Sequence, residues 1–74
     1  MNFKNGTTIK HIRWRDVAFH IIAVNGDYVK GLWYNLNFQK LSGKSGLMHQ
    51  LYEFAPKGVD TDWEIIDPYD KKYY

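Results

Sequence analysis

Apolar residues fall in short runs that either alternate with polar ones or continue unbroken, and the runs are separated by Gly-, Asn- and Pro-containing breaks. Residues Thr7 to Arg15 place Thr8, Ile12 and Trp14 on one parity, with Lys10 interrupting it, which predicts a strand. Val17 to Val24 is apolar on both parities, the pattern of a strand covered on both faces. Asn25-Gly26-Asp27 follows. Asn-Gly accepts positive φ, so this is the strongest hairpin signal in the chain. Tyr28 to Phe38 then aligns Tyr28, Leu32, Tyr34, Leu36 and Phe38 on one parity, with Lys30 out of pattern. A straight strand of that length would reach ~36 Å, too long for so small a domain. Gly31 is therefore the expected bulge or bend.

Lys40 to Gly46 is a loop by composition. Leu47 to Phe54 fits either a short helix capped by Ser45 or a strand, and the strand is preferred because so short a helix is marginal. Pro56-Lys57-Gly58 reads as a turn, and Trp63 to Ile66 as a last strand stopped at Asp67-Pro68. Residues 1–6 read as an unstructured start. Residues 69–74 read as a polar, aromatic tail whose rings lie back on the body. The sum is one all-β domain over residues 1–74. Its expected form is a small SH3-like barrel, or a strongly bent antiparallel sheet of four to five strands, with one short helix near residues 45–53 if the strand there fails. The SH3-like label is an analogy of architecture, with no family motif behind it.

A chain of 74 residues buries only about 60% of its unfolded surface, and roughly 4–11 kcal/mol of net stability is expected. It has no cysteine, so disulfides, thiol nucleophiles and cysteine metal sites are excluded. Burial must come from large side chains: four Phe, six Tyr and three Trp. Trp14, Phe19, Trp33 and Trp63 are expected in the core. So many rings do not all fit inside, and those left outside are a binding signal. The longest apolar run, Ile21 to Val24, is far below a membrane span. Residues 1–6 show no apolar signal region, and the expected location is cytoplasmic, with no membrane partner.

The formal charge of +2 names no partner, but its distribution is uneven. Residues 1–50 carry seven Lys or Arg against two acids, whereas residues 51–74 carry six acids against three Lys. The halves either form a basic and an acidic face or neutralise each other on folding. Frequent Lys, Asn, Ile and Tyr are residues of A/T-rich codons, as in the genomes of many phages and some low-GC bacteria.

Gly43-Lys44-Ser45 matches the end of a phosphate-binding loop, but the Gly needed five positions earlier is Phe38, so nucleotide hydrolysis is not supported. His11, His20 and His49 lack metal-ligand spacing, although His11 and His20 could face each other across the Arg15-Asp16 break. Asp60, Asp62 and Glu64 alternate along a strand edge and read as solvated charges that discourage edge pairing. No catalytic residue, metal ligand or cofactor is assigned. The constellation that remains is aromatics interleaved with cations in residues 10–15 and 30–34. The candidate binding residues are Arg13, Arg15, Lys30, Trp33, Tyr34 and Lys44.

Aromatic platforms beside cations suit protein hot spots and also bases of nucleic acid. The expected function is a non-enzymatic binding protein that docks on another protein, in its most specific form a phage-encoded inhibitor of a host or defence protein. The alternative is binding or sequestration of nucleic acid or a small signalling nucleotide by the aromatic-basic face. A homo-oligomeric structural subunit is a third reading, resting on exposed strand edges.

Overall fold

Five strands, β1 (Thr8–His11), β2 (Val17–Asn25), β3 (Tyr28–Asn35), β4 (Leu47–Phe54) and β5 (Trp63–Ile66), join in one antiparallel sheet. The spatial order is β4-β3-β2-β1-β5. The structure, a computed structural model, describes residues 3–74, so the first two residues of the expected unstructured start lie outside the described residues. The all-β class and the antiparallel sheet are as the pattern predicts. Of the two expected forms, the bent sheet describes the hydrogen bonding. β4 and β5 are both edges, and the molecule is flattened to 35 × 23 × 16 Å.

The hairpin forms where Asn25-Gly26 predicts it, with Asn25 opposite Tyr28 and Gly26 at φ +61°. A bulge lies on the neighbouring strand, beside the pair that contains Gly31, and a second irregularity falls between Leu32 and Tyr34 where β3 pairs with β4. Ile22 on β2 is the extra residue, between the pairs Ile21–Gly31 and Ala23–Lys30. Gly31 has a different task from bending. A Cβ there would sit 2.9 Å from the His20 carbonyl carbon and 3.2 Å from Ile21 Cα, so the two backbones approach as only glycine permits.

The strand preferred over a short helix near residues 45–53 forms, and Leu47–Phe54 is strand throughout. A helix forms instead at Leu36–Ser42 (α1), which cuts the expected eleven-residue strand at Asn35. The Asn35 side chain accepts the Phe38 N–H at 2.9 Å as N-cap, and Gly43 at φ +70° closes the C-terminus by donating to Gln39 O. The capping energy, typically about 1 kcal/mol, adds to burial of Leu36 and Gln39. Together these outweigh the alternation that favoured extension. One further helical turn, α2 (Pro56–Val59), stands where the Pro-Lys-Gly turn is expected, and a 3₁₀ turn spans Lys71–Tyr73. Among the described residues no helix is long and apolar enough to cross a membrane.

Because strand side chains alternate, the sheet divides its burial between two faces. One face holds Ile9, Phe19, Ile21, Val29 and Trp63, with Phe3, Trp33 and Phe54 against them. The other holds Ala18, Tyr34 and Leu36, with Leu47, Ile66 and Tyr73. Phe3 packs on the first cluster and the Gly6 N–H donates to Ile21 O at 2.8 Å, so residues 3–6 lie on the sheet rather than away from it. At the other end Tyr73 lies back on the second cluster. Gln39 joins this end to the sheet. Its Oε1 accepts from Tyr34 Oη and its Nε2 donates to Pro68 O, which satisfies a fully buried amide.

Candidate functional site

The first face is not closed at its margin. Trp14, in the loop between β1 and β2, is 40% exposed, and Tyr52 on edge strand β4 is 50% exposed. Half-buried Trp33 lies between them, 6.4 Å from Trp14 and 5.7 Å from Tyr52 by ring centroids. Trp33 is stacked on Phe54 at 5.4 Å and meets Phe19 edge-on at 4.9 Å. The result is a ridge of three rings presented to solvent and anchored in the core. Aromatic pairs in such geometry add about 0.5–1.5 kcal/mol each beyond burial.

Trp14 sits on a loop, yet its position is fixed. Its ring stacks on His11 at 4.9 Å and meets Trp63 edge-on at 5.5 Å. His11 is buried and held at both nitrogens. The Arg13 backbone N–H donates to Nδ1 at 3.2 Å, and Nε2 lies 3.0 Å from Asp60 Oδ2. These bonds assign the proton to Nε2. With both nitrogens engaged, His11 has no free nitrogen with which to abstract a proton, and the pair positions Trp14.

Arg13 completes the clamp, pairing with Asp60 and donating to Asp62 Oδ2 at 2.9 Å. The His11 hydrogen bond first, then the Thr61 backbone N–H and the Arg13 charge, hold the Asp60 carboxyl below its ordinary value. Trp63 fixes the same corner by donating its indole N–H to Pro56 O and Asp60 O, both at 3.0 Å.

Asp60 and Asp62 are therefore not free solvated charges. They neutralise a cation from the basic half of the chain, and the two halves partly cancel on folding. His11 and His20 do not face each other, because His11 pairs across from Trp63 and His20 from Thr8. No group of three or more metal-ligating side chains occurs among the described residues.

The candidate binding residues are dispersed. Trp33 is in the ridge, whereas its neighbour Tyr34 points to the opposite face and is 2% exposed. Arg13 is in the clamp, Lys30 is exposed on β3, and Lys44 is exposed in the loop after α1. Arg15 lines a hollow of about 210 Å³ together with Lys40 and Lys72. Sequence reasoning missed Tyr52 and Trp14 as ridge members and Lys40 and Lys72 as companions of Arg15. Nothing in the sequence marks Tyr52, because only the strand order puts Leu47–Phe54 at an edge, where a ring stays open. No family model, curated protein or solved structure matches the chain, so the site is read from its own geometry.

Proposed function

We propose that this chain is a non-enzymatic binding protein that docks on another protein through the Trp14–Trp33–Tyr52 ridge. The observation that carries the reading is the exposure of Trp14 and Tyr52 beside a Trp33 locked between Phe19 and Phe54. Trp and Tyr are the residues most enriched in interface hot spots, and rings already fixed in place lose little entropy on binding. The one cation beside Trp14 in the clamp, Arg13, is engaged by Asp60 and Asp62. That favours an apolar or aromatic partner surface over a phosphate backbone. An inhibitor of a host or defence protein would act by covering a functional surface with this ridge.

A second reading rests on a separate observation. Arg15, Lys40 and Lys72, distant in sequence, line one hollow with Asn37 and a single acid, Asp16. Among the described residues none of the three cations is in an ion pair. That arrangement favours a phosphate-bearing ligand, as the nucleic-acid or nucleotide alternative requires.

One experiment separates the two. Tagged protein is used to capture partners from lysate, with and without nuclease, as wild type, as Trp14→Ala/Tyr52→Ala, and as Arg15→Glu/Lys40→Glu/Lys72→Glu. A stoichiometric protein that survives nuclease, weakens about 30-fold with the aromatic pair removed, and persists in the charge variant supports docking. Retention by the aromatic variant, or loss with nuclease or charge reversal, overturns it.

A further inference from the structure

On the face opposite the ridge, a cavity of about 350 Å³ opens between the start of β1, the middle of β2, the end of β3, the start of β4, and the end of β5 with the segment after it. Its floor is apolar, with Leu47 and Ile66 beside the Tyr34 ring. Its outer wall is the strap Asp67-Pro68-Tyr69. Pro68 is buried and tied to Gln39, while Tyr69 is 60% exposed and meets Tyr34 edge-on at 6.1 Å. Tyr34 Oη is directed to Gln39, so the tyrosine offers the cavity its ring rather than a hydroxyl. One polar side chain is positioned to address a guest. His20 lines the cavity, and its Nδ1 lies 3.1 Å from the hydroxyl of Thr8, which is itself buried. That leaves Nε2 as the hydrogen-bonding atom available to a guest.

We propose that this cavity is a binding site for a small neutral ring compound, planar and mostly apolar with one polar edge that meets His20 Nε2. The volume corresponds to about a dozen water molecules at ~30 Å³ each, and it lies at the lower end of the range for small-molecule sites. That admits a mono- or bicyclic ring. No lysine or arginine lines the cavity, so an anion would be desolvated without a partner. A cation would meet only Asp67, an exposed carboxylate whose attraction is screened by solvent. The neighbouring rings of Tyr34 and Tyr69 favour a flat guest. The site is independent of the ridge and of any protein partner there.

The probe is indole, titrated into the full chain while histidine, tyrosine and tryptophan ring resonances of the protein are followed by NMR. Saturable shifts at His20, Tyr34 and Tyr69, with Trp14 and Trp33 unmoved, are expected. Leu47→Trp fills the cavity and should weaken indole at least tenfold. Tyr69→Ala alters an exposed strap residue, cannot empty a core, and should weaken it several-fold, so it decides the matter if Leu47→Trp does not fold. Indole-3-acetate and tryptamine should each bind at least fivefold more weakly than indole. Failure to saturate overturns the proposal, as do shifts confined to the ridge, indifference to Tyr69→Ala in a folded protein, or equal binding of either charged analogue.

Discussion

Replacing Gly31 with alanine should damage this protein, as it should at Gly46, where an added Cβ would meet the Asn35 backbone as closely, and the size of the effect at Gly31 can be worked out. The added Cβ would lie 2.9 Å from the His20 carbonyl carbon, 3.2 Å from Ile21 Cα, and nearer still to the His20 oxygen. All three are backbone atoms, so no side chain can swing aside. The β2–β3 ladder must open at Ile21–Gly31, next to the Ile22 bulge where it is already irregular. Overpacking of this kind costs about 1–3 kcal/mol, and two weakened ladder hydrogen bonds add about 0.5–1.5 kcal/mol each. Restricting the unfolded chain returns only about 0.4–1 kcal/mol. The net loss is about 3 kcal/mol, a large part of the roughly 4–11 kcal/mol available. With a urea m-value near 1 kcal/mol/M, the unfolding midpoint should fall by about 3 M. Gly58→Ala is the control, because the nearest atom to its Cβ is Ala55 Cβ at an ordinary 3.6 Å. It should be neutral or stabilise by up to about 1 kcal/mol. A Gly31→Ala midpoint within experimental error of Gly58→Ala would refute the close approach. Because Tyr52 pairs across from Gly31, Gly31→Ala should also loosen the ridge, read as altered tryptophan fluorescence before unfolding.

Three further outcomes follow from the polar contacts. The folded Asp60 carboxyl titrates below its unfolded value of about 3.9, so its stabilisation is complete above about pH 4 and is lost as pH falls through the lower folded value. Asp60→Asn should flatten acid unfolding below about pH 4, and an unchanged acid limb would show that the clamp does not couple to folding. Burial raises the Tyr34 hydroxyl above its ordinary value, so its contribution holds below about pH 10 and is lost as pH rises through the folded value. Absorbance near 295 nm should show a tyrosine ionisation raised above the ordinary value in wild type that is missing in Tyr34→Phe. That variant strands Gln39 Oε1, at a cost of about 1–3 kcal/mol by urea titration. Trp63→Phe removes the donor to Pro56 O and Asp60 O and should cost about 1–3 kcal/mol; a smaller loss would mean that α2 holds the corner without it.

Local features were legible in the chain and remote ones were not. Asn25-Gly26 predicts its hairpin because a two-residue loop needs positive φ and little else. The doubly apolar Val17–Val24 predicts a strand with both faces covered, which holds at Ala18, Phe19 and Ile21, while Ile22 at the bulge and Val24 beyond it are exposed. α1 was hidden because Leu36 and Phe38 continue the alternation of β3. The signals that mark it, Asn35 as N-cap and Gly43 as C-cap, are single residues that a period-two pattern outweighs. The clamp was out of reach: Arg13 and His11 meet Asp60 only because β1 pairs with β5, a contact spanning about fifty positions. For the same reason Trp33 is recognisable as a site residue and Tyr34 is not excluded, since alternation assigns them to opposite faces without saying which face is open.

The division of burial between both faces of one sheet also bears on how such a protein can change over time. In β2 and β3, neighbouring residues such as Ala18 and Phe19, or Trp33 and Tyr34, support opposite clusters. Substitution there is felt on one side or the other, so new specificity has little room to arise in mid-sheet. Trp14 on its loop and Tyr52 on the outermost strand pack only on the rim of the first face and leave about half of their surface in solvent. They are the positions where descendants of this chain could exchange one ring for another, or for none, and acquire a different partner while the scaffold beneath stays the same.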